Sequence, residues 1–189
     1  TARGCPNQCS FCLWPNIYHN HIVRYRSIKN VIDELKWLKE KYNMKEIFFD
    51  DGTLNNDKKR VINLCKAMIK NKINLIWSCS CRVNNIDEEI LYWMKKSGCK
   101  LICYGGESAN PETLKKTNKR ITVEQIKKSF ALTKKAGIMV HANFMLGFPW
   151  ESKEQMQKTI DFALSLEPDT VQFSLVFPHP GSKMYEEAL

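Results

Sequence analysis

Arg3-Gly4-Cys5-Pro6-Asn7-Gln8-Cys9-Ser10-Phe11-Cys12 places three thiols within eight residues, in the pattern CxxxCxxC. Disulfides join thiols in pairs and cannot satisfy all three. A tetrahedral structural zinc needs a fourth ligand, for which His19 and His21 are the only nearby candidates other than cysteine. Iron–sulfur clusters are usually held by four thiolates, so three from one short loop would leave one iron of a four-iron cluster open to a non-protein group. Pro6 keeps the stretch out of helix and Gly4 permits a sharp exit from what precedes it, so the thiols belong to a loop folded around one point.

Outward from this loop the chain alternates between two patterns. Thr1-Ala2-Arg3 reads as the end of a strand whose beginning is missing, and the far end breaks off in the helix-like stretch Lys183 to Leu189, so the sequence reads as a domain truncated at both ends. Ser27 is a plausible N-cap for a helix carrying Val31, Ile32, Leu35 and Leu38 to about residue 42. A strand from Lys45 to Asp50 ends in Asp50-Asp51-Gly52, and Val61, Leu64, Cys65, Met68 and Ile69 mark the next helix. Strands at Leu75–Val83, Lys100–Gly105, Ile138–Leu146 and Thr170–Phe177 then alternate with helices at Asp87–Lys96, Thr122–Lys135 and Glu154–Leu166.

Counting the partial first strand, this makes six βα steps, hence a parallel sheet with right-handed crossovers. An open doubly wound sheet and a barrel both satisfy the alternation. In a barrel, function sits at the carboxyl ends of the strands. There the sequence places the cysteine loop, Asp50-Asp51-Gly52, Arg82, Gly105-Gly106-Glu107-Ser108, Gly147-Phe148-Pro149 and Pro178-His179-Pro180-Gly181. The expected class is α/β, a partial (β/α)6 TIM-like barrel with parallel strands, forming one domain over residues 1–189.

Composition bounds the partners. The 189 residues are 43% hydrophobic, without an apolar run long enough to cross a membrane or a visible signal peptide. The eight cysteines suit a reducing, cytoplasmic setting in which thiols stay free or bind metal. A net charge of +9 invites nucleic acid, but many of the lysines fall in pairs such as Lys58-Lys59, Lys95-Lys96, Lys115-Lys116, Lys127-Lys128 and Lys134-Lys135, the pattern of solvated helix faces. A small-molecule substrate is the expected partner.

The cysteine loop, with Phe11 just before its last thiol, resembles the signature of the radical S-adenosylmethionine (radical SAM) enzymes. The resemblance implies a four-iron four-sulfur cluster on Cys5, Cys9 and Cys12, whose open iron chelates S-adenosylmethionine. An electron from the cluster splits that cofactor into methionine and a 5′-deoxyadenosyl radical. An electron donor such as flavodoxin or ferredoxin is implied with it. The phrases Phe48-Phe49-Asp50-Asp51, Trp77 to Val83, Phe144 to Pro149 and Phe177 to Ser182 are similar to the branch that carries a cobalamin-binding domain upstream. That branch includes the anaerobic magnesium-protoporphyrin monomethyl ester cyclase and methyltransferases acting on unactivated carbon or phosphorus. No Asp-x-His-x-x-Gly pattern for a lower cobalt ligand occurs in this sequence, so cobalamin, through a missing upstream domain, rests on resemblance.

The family pattern also distributes the cofactor contacts. Asp50, Asp51 and Gly52 stand where the family meets the methionine amino group through backbone carbonyls, although the family more commonly has Gly-Gly-Glu. If Arg82 points into the barrel, alternation brings Ser78 and Ser80 with it and turns Cys79 and Cys81 toward the helices. Arg82 could then pair with the cofactor carboxylate. Glu107, with Ser108, stands where the family places an acid on the ribose hydroxyls, and Ser108 also reads as a helix cap before Pro111. Asn143 and Gly147 fall where adenine is contacted. His141 is a secondary candidate, and Ser174, with Gln172, could touch ribose or substrate. Arg3, Tyr18, Tyr25 and Trp150 could frame the pocket. Cys65 reads as core, and Cys79, Cys81, Cys99 and Cys103 read either as core filling or as a second cluster. Two alternatives stay open: a methylthiotransferase acting on RNA or protein, and a non-enzymatic zinc-binding nucleic-acid module.

Overall fold

Alternation of apolar residues along short β-branched and aromatic runs, each followed by an amphipathic helix, builds one parallel sheet in the computed structural model, which describes residues 1–17 and 21–189. The strands β3 (Glu46–Phe49), β4 (Ile76–Cys81), β5 (Cys99–Glu107), β6 (Met139–Leu146) and β7 (Thr170–Leu175) pair in sequence order, every pair parallel. An order that never reverses excludes the doubly wound alternative, which needs a switch point. The structure is a half-barrel. Its leading segment, β1 (Ala2–Arg3), pairs antiparallel with β2 (Arg24–Tyr25) instead of lying in the five-stranded sheet. Asp51, just past β3, ties this segment down by accepting from the Ala2 backbone N–H at 2.9 Å and the Thr1 hydroxyl at 2.5 Å.

The helices α1 (Trp14–Ile17), α2 (Ile28–Tyr42), α3 (Lys58–Lys70), α4 (Glu88–Lys96), α5 (Pro111–Lys116), α6 (Val123–Lys135), α7 (Lys153–Ser165) and α8 (Lys183–Ala188) complete the element order. Ser27, Asp57 and Asp87 cap α2, α3 and α4 by accepting an N–H from the first turn, and Thr122 and Ser152 form reciprocal capping boxes with Gln125 and Gln155. Leu35, Leu64, Met68, Ile90, Met94, Ile126 and Phe130 project from the helices onto Trp77, Cys79, Ile102, Tyr104, Val140 and Phe144 of the sheet, and all are buried. Full burial of each such aliphatic or aromatic side chain contributes about 1.5–3 kcal/mol. The opposite sheet face is concave and wetter: Phe48, Ile76 and Met139 are exposed there.

One departure from plain alternation positions a functional group. The β5–β6 register slips between Gly105 and Glu107, so that Glu107 pairs with Phe144 at a φ of 63°. Such bulges re-aim a side chain at the end of a strand, and this one keeps β5 in the ladder beyond the expected end at Gly105.

Candidate cofactor site

The cysteine loop is clamped by its own backbone and by two distant segments. Cys12 N–H donates to the Cys9 carbonyl at 3.1 Å, Ser10 N–H to the Thr117 carbonyl at 3.0 Å, and Met184 N–H to the Ser10 carbonyl at 2.9 Å. Asn118 adds a side-chain bond to the Gln8 carbonyl at 2.9 Å. Gly4 makes the turn into the loop at φ 103°, where a Cβ would lie 2.0 Å from the Ile22 carbonyl oxygen. Phe11 packs edge-on against Phe148 with centroids 6.4 Å apart, and Phe148 stacks on Trp150 at 5.4 Å, which joins the loop to the end of β6.

Held this way, Cys5, Cys9 and Cys12 open onto one cavity of about 260 Å³ at the carboxyl ends of the strands. Gly52, Ser80, Arg82, Glu107 and Asn143, expected from the sequence, share its walls, as do Asn7, Cys103, Gly105 and Lys119. Arg82 is buried, and its backbone is locked by Asn55, which accepts from Arg82 N–H at 2.9 Å and donates to its carbonyl at 2.7 Å. Its Nη1 lies 3.5 Å from the Cys9 sulfur, Nη2 donates to the Lys119 carbonyl, and Nε reaches Asn84 Oδ1 at 3.4 Å. Asn7 Nδ2 donates to the Cys5 sulfur at 3.3 Å. Glu107 and Lys119 form an ion pair of 2.6 Å with both side chains 9% exposed. Gly105 clears the space for it, since a Cβ there would meet Glu107 Oε1 at 2.3 Å. Asn143 is oriented by His141, whose Nε2 lies 3.2 Å from Asn143 Oδ1 while Nδ1 meets the Thr170 hydroxyl at 2.8 Å.

Burial raises the Cys12 thiol above its ordinary pKa; the Trp14 backbone N–H opposes this, Cys9 and Cys5 add to it, and Lys119 opposes it. A cationic metal centre reverses that bias, because it stabilises thiolates directly. The donor set fits a four-iron cluster better than a single zinc ion. Among the described residues no group of three or more His, Cys, Asp or Glu side chains converges to hold one metal ion, whereas a cubane takes each thiolate on a different iron and so keeps its ligands apart. Amide and guanidinium N–H groups already face two of the sulfurs. Open space also lies beside Gly147, where a Cβ would meet nothing within 4 Å.

Other expected positions fall elsewhere. Asp50 and Asp51 line a neighbouring cavity with Arg3, Arg24 and Tyr25, and Asp51 is committed to the β1 segment. Only Gly52 of that turn reaches the thiol cavity. Ser108 is fully buried, linked to Glu151 at 3.2 Å and Thr159 at 3.3 Å, and it accepts from Asn110 N–H, so it braces the chain beneath the rim instead of facing the cavity. Ser174 is exposed on β7 and accepts from Gln172. Trp150 donates to Thr113, while Tyr18 and His19 lie outside the described residues. Cys79 and Cys81 are core residues with sulfurs 3.6 Å apart, and burial raises the Cys79 and Cys103 thiols above their ordinary values. Lys119 and Asn7 were not anticipated. Lys119 follows the Lys115-Lys116 pair on a stretch that reads as solvated, and the left-handed backbone of its neighbours Asn118 and Arg120, which fixes the turn, shows only in the structure.

A half-barrel with a three-thiol cavity at its carboxyl rim, flanked by buried charges, defines a cluster-dependent enzyme core. The model of the radical SAM superfamily matches residues 1–163, and the chain belongs to that superfamily, whose members use a four-iron four-sulfur cluster and S-adenosylmethionine. It is 36% identical over 189 residues to an uncharacterized methyltransferase of Pyrococcus horikoshii, covering 100% of this chain and 41% of the relative. It is 31% identical over 188 residues to the anaerobic magnesium-protoporphyrin IX monomethyl ester cyclase of Rubrivivax gelatinosus, covering 98% and 34%. The chain thus spans about a third to two fifths of the length of these relatives. Among solved structures it superposes with a TM-score of 0.90 on the radical S-adenosylmethionine methyltransferase TsrM from Kitasatospora setae with cobalamin and a 4Fe–4S cluster bound. That match, at 22% identity over 99% of this chain and 38% of TsrM, shows the fold. Superfamily membership overturns the zinc-module alternative.

Proposed function

We propose that this chain is the radical-generating core of a larger enzyme that methylates or cyclises an unactivated carbon of a small molecule. The observation that carries the reading is the convergence of Cys5, Cys9 and Cys12 with Arg82, Glu107 and Asn143 on one rim cavity. When bound, the cluster and S-adenosylmethionine supply one-electron cleavage of a sulfonium and abstraction of a hydrogen atom. The chain's own residues bind and orient: the three thiolates hold the cluster, and the Gly52 turn offers backbone carbonyls to an ammonium group. Glu107 accepts from ribose hydroxyls, and the amide of Asn143 and the open side of Gly147 border the nucleobase. Arg82 stands on the border between thiols and cofactor space.

Similarity to the Pyrococcus methyltransferase and the Rubrivivax cyclase supports methyl transfer or ring closure. Cobalamin, held by a domain upstream of Thr1, is the expected methyl carrier. The reduced thiols and oxygen-sensitive cluster imply a cytoplasmic setting with a low-potential donor such as flavodoxin or ferredoxin. The test uses the full-length protein, purified anaerobically and reduced with dithionite. Four irons and four sulfides per chain and the formation of 5′-deoxyadenosine from S-adenosylmethionine are expected; stoichiometric zinc without sulfide would refute the reading. Product mass separates methyl transfer from methylthiolation.

A further inference from the structure

Arg82 presents an electrostatic problem. It is 7% exposed, yet among the described residues no carboxylate lies within ion-pair distance of it. Glu107, the carboxylate that shares its cavity, is taken by Lys119. The other partners of the guanidinium are neutral: the Lys119 carbonyl and the Asn84 amide oxygen. A buried cation without a counter-charge is strongly unfavourable. Among the described residues, the group in contact with Arg82 that can carry the compensating charge is the sulfur of Cys9, 3.5 Å from Nη1.

We infer that Arg82, through its N–H···S contact with Cys9, sets the reduction potential of the centre held by the three cysteines, with Asn7 doing the same more weakly at Cys5. The inference rests on the cysteine trio being the cluster's ligand set. Reduction adds one electron from an external reductant and breaks no protein bond. A fixed positive charge and a sulfur-directed hydrogen bond both favour the more negative, reduced state, so they raise the potential; hydrogen bonds to the sulfurs and net charge are recognised controls of such potentials. Three restraints hold the guanidinium against the sulfur before any ligand arrives: the two-way amide contact of Asn55 with the Arg82 backbone, the Lys119 carbonyl, and Asn84. Arg82 is thus assigned first to the electron-accepting centre, and any contact with the cofactor's carboxylate uses N–H groups left over.

The test is a redox titration of the full-length, cluster-loaded protein, followed by electron paramagnetic resonance, with iron and sulfide counted in every sample. Arg82→Gln should hold the full cluster and shift the midpoint to a more negative potential, and Arg82→Lys, which keeps the charge, should fall between it and wild type. Asn7→Ala, at a half-buried loop position and without added charge, should also shift the midpoint negatively and covers the case in which Arg82→Gln does not fold. The dissociation constant for S-adenosylmethionine is measured beside them by equilibrium dialysis. Unchanged midpoints in loaded variants overturn the inference, and a weakened cofactor affinity with an unchanged midpoint assigns Arg82 to the carboxylate instead. A wild-type protein that takes up no cluster overturns the proposed function itself, an outcome distinct from either.

Discussion

Replacing Lys119 by methionine should destabilise the domain out of proportion to the volume removed. The ammonium sits 2.6 Å from Glu107 Oε1, both side chains are 9% exposed, and the pair occupies the space that a Cβ at Gly105 would fill. Methionine fills much of the same space but leaves the Glu107 carboxylate buried without a partner. Breaking a buried pair in this way costs about 3–5 kcal/mol, and at this chain length each kcal/mol lowers the melting midpoint by roughly 2–4 °C, so a fall of roughly 6–20 °C is expected. Adding Glu107→Gln removes the orphaned charge, and the double variant should regain part of the loss, with a coupling of about 0.5–3 kcal/mol. Thermal unfolding followed by tryptophan fluorescence at fixed pH measures all four corners of the cycle. If Lys119→Met melts within about 2 °C of wild type, or the double variant is no more stable than the single one, the pair does not support the rim as described.

Three further outcomes are expected. Alanine at any one of Cys5, Cys9 or Cys12 should abolish formation of 5′-deoxyadenosine and the cluster's absorption band, whereas Cys65→Ala, remote from the cavity, should leave both intact. Gly4→Ala should reduce iron uptake, because its Cβ would lie 2.0 Å from the Ile22 carbonyl oxygen at a φ of 103°; uptake equal to wild type would show that the turn can be rebuilt. Burial pushes the Cys65 thiol from its ordinary 9.0 up to about 12. The unfolded chain therefore loses this proton first, so the contribution is complete below pH 9.0 and declines by about 1.4 kcal/mol per pH unit until pH 12. Urea titrations between these limits should show a shallower decline for Cys65→Ala than for wild type.

Elements with strong local signals were legible in the sequence. Thr122 and Ser27 begin their helices as capping chemistry requires, and the stretches ending at Leu146 and near Arg82 are strands in which apolar residues alternate with polar ones, two residues apart sharing a face. Alternation along β4 sent Ser80 and Arg82 toward the cavity and Cys79 toward the helices, whereas Cys81, expected to face the helices with Cys79, also borders the cavity. What eluded the sequence depends on long-range partners. Ser108 looks like a rim residue beside Glu107, but the register slip at Gly105 turns the two apart, and Glu151 and Thr159, more than 40 residues later, claim the hydroxyl. Lys119 is indistinguishable from its solvated neighbours until β5 places Glu107 against it. Asp51 reads as part of a turn that meets the cofactor through backbone carbonyls, and what the sequence did not disclose is that its carboxylate holds the segment paired with Arg24–Tyr25.

The placement of charge ties these features together. Glu107 and Lys119 cancel, so Arg82 is the charge the cavity wall presents to the thiols. Three thiolates on an oxidised four-iron core carry a formal charge of minus one, and one electron makes it minus two. S-adenosylmethionine brings a sulfonium, an ammonium and a carboxylate, for a net plus one. With Arg82 counted, the formal charges sum to zero when the centre is reduced and the cofactor is bound, and to plus one when it is oxidised. In a site of low effective dielectric, excess charge is costly, so with the cluster held by the three cysteines a wall of this charge would hold an added electron more readily with a cofactor of net plus one beside it. The neutral Glu107–Lys119 pair is what makes this balance depend on Arg82. Had Lys119 stood free, the cavity would carry a second cation and would be over-compensated in both cofactor-bound states.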